Sequence, residues 1–524
     1  MAYAATHAQV ALFDEPDDYV LDNNPDVTFT KVFNKFEFNL FLDEENLYYK
    51  ALADFNRKLV KKAKERKHQE KQTNKPTNKD DVYQELLFEI LDKEPSKKTI
   101  LFKIPSIDLT DVDKIHHNPK GAGRKPKDFY GLVKAFLGVS YMRLKNSPDV
   151  VHSQLINNPS FARKCGFEYI IDEETKHSQH NIPSLRKLEH FDQIMNLYGI
   201  WDKMKWKIVN QNLTDGTVEI EKDLAFDPSH VEGNSGFKVV ETVNEKGKKV
   251  KRAVGKLSKR CTCVDKENCE HDWEVTDHGC AVVVKAQNKK YWAHKASFVG
   301  FPKSHVPIDA AAVNYAAAND GKTLKPHWKR LVKHVPFVTK KIERVIADGP
   351  FNTQKNKDFV RDEIGATLYA PINPKNISVP SAKNIKGIKH FTKNGIPVCD
   401  AGLALEMKGR ELTRQRYIWG APIITSKNKR LVACSHCLLK KDCCPNSQGR
   451  TLRTKASDFP QIDWDNPQHL SRWKSHYSKR TAIERIIKTI KVDYCAEHFS
   501  KRDSLNFQGH LDKTMLALHV LLSL

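Results

Sequence analysis

The sequence predicts a mixed α/β protein in which a helical region precedes a sheet-containing region. Residues 121–215 place apolar side chains at the spacing of helices, as in the run FYGLVKAFLGVSYMRL. From residue 216 onward, short runs of strand-forming residues, such as KYWAHKASFVG and ERVIA, alternate with helical patterns. This alternation predicts a mixed sheet within residues 216–524, whose last segments are again helical.

The first 120 residues have a different character. Acidic residues concentrate between residues 14 and 45, and a run rich in Lys and Arg follows between residues 57 and 79. This composition predicts an arm, acidic and then basic, with short helices and partial flexibility over residues 1–120. The Gly-containing basic stretch KGAGRKPKD predicts the boundary with the helical region 121–215.

Composition and charge narrow the class of protein. The 524 residues include 87 Lys and Arg against 64 Asp and Glu, a formal net charge of +23 that attracts polyanions such as nucleic acid. No apolar run reaches the ~18 residues that span a membrane, and the N-terminus lacks a secretory signal pattern. We therefore expect a cytoplasmic protein with no membrane partner. Eleven cysteines are too few for a secreted disulfide scaffold.

The most informative pattern is the run HYSKRTAIERIIKTIK. On a regular helix, Tyr477, Arg480, Glu484 and Lys491 fall within about 60° of one another. Four isoleucines form an adjoining apolar stripe: Ile483, Ile486, Ile487 and Ile490. Such a helix buries its isoleucines and presents an acid flanked by cations and a phenol. The alternative is an amphipathic surface helix with incidental ion pairs.

The spacing Tyr-x2-Arg-x3-Glu-x6-Lys resembles the signature of the DDE transposases of bacterial insertion sequences. The resemblance implies an RNase H-like catalytic domain over residues 216–524, with Glu484 as the third acid. Asp227, in LAFDPSHVEG, resembles the first acid and Asp348, in ERVIADGPF, resembles the second. Each follows an apolar run, so each is expected at the end of a strand. The alternative is that both simply cap turns.

The resemblance also implies the chemistry and the partners. Three carboxylates would hold two Mg²⁺ or Mn²⁺ ions, with Asp227 bridging both ions and Asp348 and Glu484 binding one each. Arg480, Lys488 and Lys491 would contact DNA phosphates, and Tyr477 would hydrogen-bond or stack on DNA. Asp320 is interpreted as a structural turn or cap residue. A homodimer would bridge two transposon ends in the cytoplasm of a prokaryote, in association with the nucleoid, then join them to target DNA.

Two cysteine clusters, within insertions near residues 258–282 and 395–455, have spacings suited to structural Zn²⁺. The first consists of Cys261, Cys263, Cys269 and His271, and the second of Cys434, Cys437, Cys443 and Cys444. The clusters could also pool their ligands into one site, or be reduced thiols in solvent-facing loops. The remaining cysteines are interpreted mostly as buried small apolar residues: Cys165, Cys280, Cys399 and Cys495.

The stretch GRKPKD resembles a Gly-Arg-Pro opening found in relatives of these transposases. Arg124, Lys125 and Lys127 would then touch phosphates of the terminal inverted repeats, as part of a helical DNA-binding domain over residues 121–215. The alternative is a solvated basic linker. Two other functions remain open for the chain: a two-metal nuclease without strand transfer, and an inactive, domesticated DNA-binding regulator.

Overall fold

The structure, a computed structural model, describes most of the chain from residue 25 to the C-terminus. The described residues are 25–73, 79–91, 99–113, 127–171, 178–236, 239–243, 249–253, 276–277, 279–284, 290–372, 382, 385–392, 395–426, 429–444, 449–458 and 462–524.

Helices dominate the described residues before 215. They are α1 (Pro25–Lys35), α2 (Leu42–Thr73), α3 (Lys79–Leu91), α4 (Phe129–Tyr141), α5 (Pro148–Asn157), α6 (Pro159–Lys164), α7 (Leu185–Leu197) and α8 (Ile200–Thr214), with a two-stranded hairpin of β1 (Tyr169–Ile171) and β2 (Ser178–His180) between α6 and α7. Asp128 starts α4 by accepting a hydrogen bond from the Gly131 N–H at 2.5 Å. Because α4 is apolar on almost every side, it lies in the interior.

The expectation of an irregular arm over residues 1–120 is wrong for the described part. Helix α2 alone has 32 residues. Its Tyr48 and Phe55 are buried, and the Tyr48 ring lies 5.5 Å from Phe129 and 5.1 Å from Phe191. Tyr48, Ala51 and Phe55 share one helix face at spacings of three and four residues. The many charges around this narrow apolar face obscured it in the sequence.

The central sheet follows α8. Its region contains β3 (Asp223–Gly233), β4 (Val239–Val243), β5 (Lys249–Ala253), β6 (Ala281–Val284), β7 (Lys290–Gly300), β8 (Pro307–Val313), α9 (Leu324–His334), α10 (Pro336–Thr339), β9 (Arg344–Ala347), α11 (Gln354–Asp358) and β10 (Thr367–Tyr369). Strand β3 is central, with β7 antiparallel on one side and β9 parallel on the other. Strand β10 extends the sheet in parallel beyond β9, and β8 and β6 pair with β7. The chain is therefore a mixed α/β protein with a mixed sheet, as predicted. Strands β4 and β5 form a separate hairpin.

Small antiparallel sheets lie in the described part of the segment between β10 and the C-terminal helices. They contain β11 (Ile388–Phe391), β12 (Pro397–Cys399), β13 (Glu406–Glu411), β14 (Arg416–Gly420), β15 (Ile423–Ser426), β16 (Lys429–Val432) and β17 (Thr451–Lys455), with the short helix α12 (Lys440–Cys443) between β16 and β17. Their core centres on Tyr417 and Trp419 and is separate from the core of the central sheet.

The chain ends in helices that return to the central sheet. The elements are α13 (Ser471–Tyr477), α14 (Thr481–Lys488), β18 (His498–Phe499) and α15 (Ser504–Leu522). Helix α15 packs against α4, α7, α8 and β8, and the Tyr141 hydroxyl donates to the Ala517 carbonyl at 2.9 Å. The largest hydrophobic core includes residues of both regions, among them Phe136, Phe298 and Leu516. The predicted boundary at residue 215 thus separates a helical region from the region that contains the central sheet, but the two regions share the largest hydrophobic core.

A buried ionic network ties α8, α9, α15 and β8 together. The Lys205 ammonium is fully buried and lies 2.8 Å from both Asp309 and Asp512. Arg330 lies 2.6 Å from Asp202 and from Asp309, so the acids are shared between two cations. These pairs hold the pKa of Asp309 well below its usual range, although burial alone would raise it. Removing one partner would leave a buried charge uncompensated, so the network fixes how these elements pack.

Candidate active site

Asp227 and Asp348 lie side by side at one edge of the parallel pair β3 and β9. Phe226 is opposite Ala347 in this pair, and the two aspartates are the next residues of their strands. In parallel sheets, such carboxyl ends are where functional side chains gather. Asp348 ends its strand and is followed by a 3-10 turn, Gly349–Phe351, as predicted.

The expectation that Asp227 also ends a strand is wrong. Strand β3 continues to Gly233 because the 11-residue strand β7 pairs with it beyond Asp227. Only the parallel pairing with β9 stops at Phe226. Strand residues of β3 therefore both precede and follow Asp227, and its side chain is 20% exposed.

Glu484 reaches the same edge from α14, which packs across β3 and β7. Ile483, Ile486 and Ile490 are fully buried, as the apolar stripe predicted, while the Glu484 side chain is 56% exposed. The run is not one regular α-helix, however. A 3-10 turn (Ser478–Arg480) precedes α14 and a π-helical turn (Thr489–Asp493) follows it.

Arg480 lies among all three acids. Its guanidinium is 3.1 Å from the nearest Glu484 oxygen, 3.4 Å from Asp348 and 4.0 Å from Asp227. The Tyr477 hydroxyl lies 3.5 Å from the other Asp348 oxygen, and its ring stacks on Trp473 at 4.8 Å. The three acids, from a strand, a strand end and a helix, thus converge on one cation.

Electrostatics at this edge are dominated by carboxylates. Burial raises the pKa of Asp227 to about 7; Arg480 opposes the shift, and the nearby charges of Asp348, Asp320 and Glu484 add to it. Asp320 itself starts the 3-10 turn Asp320–Lys322 and accepts an ion pair from Lys295 at 2.7 Å. Burial is therefore the main reason that Asp227 holds its proton, and the Arg480 guanidinium does not cancel its effect.

The other predicted DNA-binding side chains differ in their surroundings. Lys488 is exposed, one helical turn beyond Glu484. Lys491 is buried, and its ammonium lies 2.6 Å from Glu497 and donates to the His230 carbonyl at 2.8 Å. Lys127 donates to the Asn181 carbonyl. Arg124 and Lys125 lie outside the described residues. In this structure the charge of Lys491 is paired within the protein, so only Lys488 of these side chains extends from α14 into solvent.

A second group of ligand-type side chains lies elsewhere on the sheet. Asp277, Cys280 and His294 are all buried, and their ligand atoms lie within 4.8 Å of one another, so the group could hold a metal ion. Among the described residues, no other three acidic, His or Cys side chains have their ligand atoms this close together. The three acids around Arg480 are therefore farther apart than this group. Asp277 already accepts contacts from the His294 Nε2 at 2.9 Å and the Asp503 N–H at 3.0 Å.

This group was not identified from the sequence. Cys280 was expected to be a buried small residue, and it is buried, but it lies beside two further ligand types. Of these three residues, only Asp277 and Cys280 lie close together in the sequence, just after the first cysteine cluster. His294 joins them through the antiparallel pairing of β6 with β7. The first cysteine cluster itself, Cys261 to His271, lies outside the described residues.

The second cysteine cluster surrounds a cavity next to β12. Its lining includes Cys434, Cys437, Cys443 and Cys444, together with Cys399 from the end of β12. Of the four scattered cysteines, Cys165, Cys280 and Cys399 are buried as expected, whereas Cys495 is half-exposed.

None of the helices in the described ranges has the length and apolar character needed to cross a membrane. Comparison of the sequence with protein-family models finds no matching model, and comparison with the curated proteins finds no significant match. The site itself therefore carries the functional information: three carboxylates from separate elements lie around Arg480, with the exposed Lys488 one helical turn beyond Glu484.

Proposed function

We propose that the chain is a DDE transposase that cleaves DNA at transposon ends and transfers the freed strands into target DNA. The observation that carries this proposal is the convergence of Asp227, Asp348 and Glu484 on the Arg480 guanidinium. Three acids from separate elements of a sheet, with a cation and a phenol in the same place, suit phosphodiester chemistry.

The sheet supports an RNase H-like catalytic domain. Strands β3, β7 and β8 form an antiparallel meander, and β9 and β10 extend it in parallel on the other side of β3. In chain order the five strands lie 3-2-1-4-5, with only the second antiparallel to the rest. This is the arrangement expected of an RNase H-like sheet, with the first acid on the central strand and the second on its parallel neighbour.

The acids fit a divalent cation. Their carboxylate oxygens are the hard ligands that Mg²⁺ and Mn²⁺ prefer, and the charges of Asp348, Asp320 and Glu484 add to the effect of burial in raising the pKa of Asp227. Two such ions, when bound, would activate the attacking oxygen and stabilise the leaving oxygen of a phosphodiester. Arg480, released from the carboxylates, and the exposed Lys488 would hold DNA phosphates, and Tyr477 would contact the transposon-end DNA.

The wider proposal follows from the same assignment. The partners would be double-stranded DNA, as terminal inverted repeats and as target, and a second copy of the chain. The net charge of +23 suits binding to DNA. The location would be the prokaryotic cytoplasm, and the cysteine clusters would hold structural Zn²⁺.

The test is a cleavage and joining assay with the full chain, Mg²⁺, and duplexes that carry the DNA flanking the gene. We expect nicking at the transposon end, then joining of that end to a target duplex. Asp227→Asn, Asp348→Asn and Glu484→Gln should each lose cleavage by at least about 100-fold, whereas Glu219→Gln, a surface acid paired with Lys303, should not.

Each alternative gives a distinct result in that assay. Nicking without any joining supports a two-metal nuclease. DNA binding without cleavage at any Mg²⁺ or Mn²⁺ concentration supports an inactive regulator. Cleavage that survives substitution of the three acids would show that the site is elsewhere.

A further inference from the structure

The segment from residue 432 to residue 444 folds without a hydrophobic core of its own. It contains the 3-10 turn Ala433–His436 and the short helix α12, yet none of its residues is buried. Leu438 is fully exposed and Leu439 is also exposed. Segments this small and this poor in buried apolar area generally need a covalent or metal cross-link to hold one conformation.

The cysteines of this segment face a cysteine from another element. Cys434, Cys437 and Cys443 line the same cavity as Cys399, which is buried at the end of β12. A Cβ atom added at Gly387 would lie 2.8 Å from the Cys443 Sγ atom. Gly387 directly precedes Ile388, the cross-strand partner of Cys399, so Cys443 packs onto the hairpin that carries Cys399.

The backbone turns the Cys-x2-Cys pair toward this hairpin. The Cys437 N–H donates to the Cys434 carbonyl at 3.3 Å, and the Lys440 N–H donates to the Cys437 carbonyl at 3.1 Å. The two tight turns bring Cys434 and Cys437 to one wall of the cavity. Burial raises the pKa of the Cys443 thiol, Arg450 lowers it, and the neighbouring Cys399, Cys434 and Cys444 thiols raise it further, so these groups lie within electrostatic reach of Cys443.

We propose that Cys399, Cys434, Cys437 and Cys443 bind one structural Zn²⁺ that fastens residues 432–444 to the β11–β12 hairpin. Four thiolates in a tetrahedron are a preferred ligand set for Zn²⁺, and each thiol releases its proton on binding. The site differs from the predicted cluster because Cys399 replaces Cys444. Cys444 lines the same cavity, but only Cys399, at the end of β12, can join the segment to another element, so we assign Cys399 as the fourth ligand.

Binding requires the sulfurs to move closer. Among the described residues no three of these sulfurs lie within 4.8 Å of one another, whereas tetrahedral ligation at 2.3 Å sets them about 3.8 Å apart. Because residues 432–444 contribute nothing to a buried core, they can close onto Cys399 without disturbing other packing. The proposal does not depend on the proposed transposase activity.

The test compares the zinc content of the full chain and its variants, purified without chelator. Cys399→Ser and Cys434→Ser should each lose about one equivalent of Zn²⁺ relative to the unmodified chain, and Cys444→Ser, the matched control, should lose none. Zinc held anywhere else in the chain cancels in these differences. Retention of the equivalent in Cys399→Ser, or its loss in Cys444→Ser, would overturn the ligand set.

A second measurement uses the unmodified chain and covers variants that fail to fold. Cys434, Cys437, Cys443 and Cys444 are all half-exposed, so burial alone would not protect any one of them from an alkylating reagent. We expect iodoacetamide to modify Cys444 rapidly, and to modify Cys434, Cys437 and Cys443 only after zinc is removed with a chelator. Equal modification of all four before chelation would contradict the proposal.

Discussion

Arg480 supplies one guanidinium to an edge of the sheet where Asp227 faces three further carboxylates. Burial is the largest cause of the raised pKa of Asp227; Arg480 opposes it and the three acids add to it, so Asp227 holds a proton up to about pH 7, far above its usual range. A divalent cation would replace that proton. Under the proposed function, protonation of Asp227 and metal binding by Asp227, Asp348 and Glu484 would therefore compete, depending on pH and on the metal concentration.

The substitution Asp227→Asn should stabilise the metal-free protein above pH 7. A folded-state pKa raised from 3.8 to about 7 means that the folded protein binds more protons than the unfolded chain in this interval. The contribution of Asp227 to the free energy of unfolding therefore decreases as pH rises from about 4 to 7 and stays low above pH 7. The stabilisation by Asn should be larger by about 2 kcal/mol at pH 8 than at pH 5.

Urea unfolding at several pH values, in chelator, checks this prediction. Adding Mg²⁺ at pH 8 should then raise the stability of the unmodified chain and leave that of Asp227→Asn nearly unchanged. An Asn variant with the same pH dependence as the unmodified chain would show that Asp227 titrates normally.

The residues of the site could be predicted from the sequence only in part. The spacing of Tyr477, Arg480 and Glu484 was sufficient to predict that they lie on one face, because residues three and four apart share a helix face even when one turn is 3-10. Lys491, seven positions beyond Glu484, lies past the start of a π-helical turn and is turned inward to Glu497. Asp277, Cys280 and His294 could not be grouped, since strand register brings them together.

At the scale of elements, α14 is the support for Glu484. Ile486 is fully buried between the helix and the sheet, and a Cβ atom added at Gly300 of β7 would lie 2.6 Å from its Cδ1 atom. This close contact fixes the distance between helix and sheet. The position of the Glu484 carboxylate depends on it, although the carboxylate itself is exposed.

Replacing Ile486 with Ala should cost about 2–5 kcal/mol of unfolding free energy and lower cleavage activity as well. Ile487, on the same helix but only partly buried, offers a matched control whose replacement by Ala should cost clearly less. Urea unfolding and single-turnover cleavage measure the two effects. Equal costs at the two positions would mean that α14 does not pack on β7 as described.

Most elements of the sheet followed from local patterns. Strands β7 and β9 matched the predicted runs, because buried strands are rich in β-branched and aromatic residues. The full length of β3 could not be predicted from local patterns, since its polar second half is held by pairing with β7 and not by burial. Long-range pairing of this kind leaves little local signal.

At the scale of the molecule, helix α2 and its described neighbours belong to the folded body. The Phe55 ring of α2 is fully buried, 5.3 Å from Tyr83 of α3 and 5.6 Å from His190 of α7. The basic composition of this region predicted an arm because overall charge reports on solvation and does not reveal a narrow apolar face. The described cations of α2 therefore lie on a helix that packs against the core of the protein.

Replacing Phe55 with Ala should destabilise the whole protein by about 3–5 kcal/mol, because it leaves a cavity between three helices. Val60, exposed on the same helix, is the control, and Val60→Ala should change stability by no more than about 0.5 kcal/mol. Calorimetry or urea unfolding of the full chain gives both values. A cost near zero for Phe55→Ala would restore the interpretation of this region as an arm.

The central claim is that Asp227, Asp348 and Glu484 form a divalent metal site. Diffraction at the manganese absorption edge, from crystals of the full chain grown with Mn²⁺ and DNA, tests it most directly. We expect two anomalous peaks about 3.5–4 Å apart, in contact with these three carboxylates, with the Arg480 guanidinium moved away from them. Manganese bound elsewhere, for instance at Asp277 and His294, with none at the three acids would contradict it.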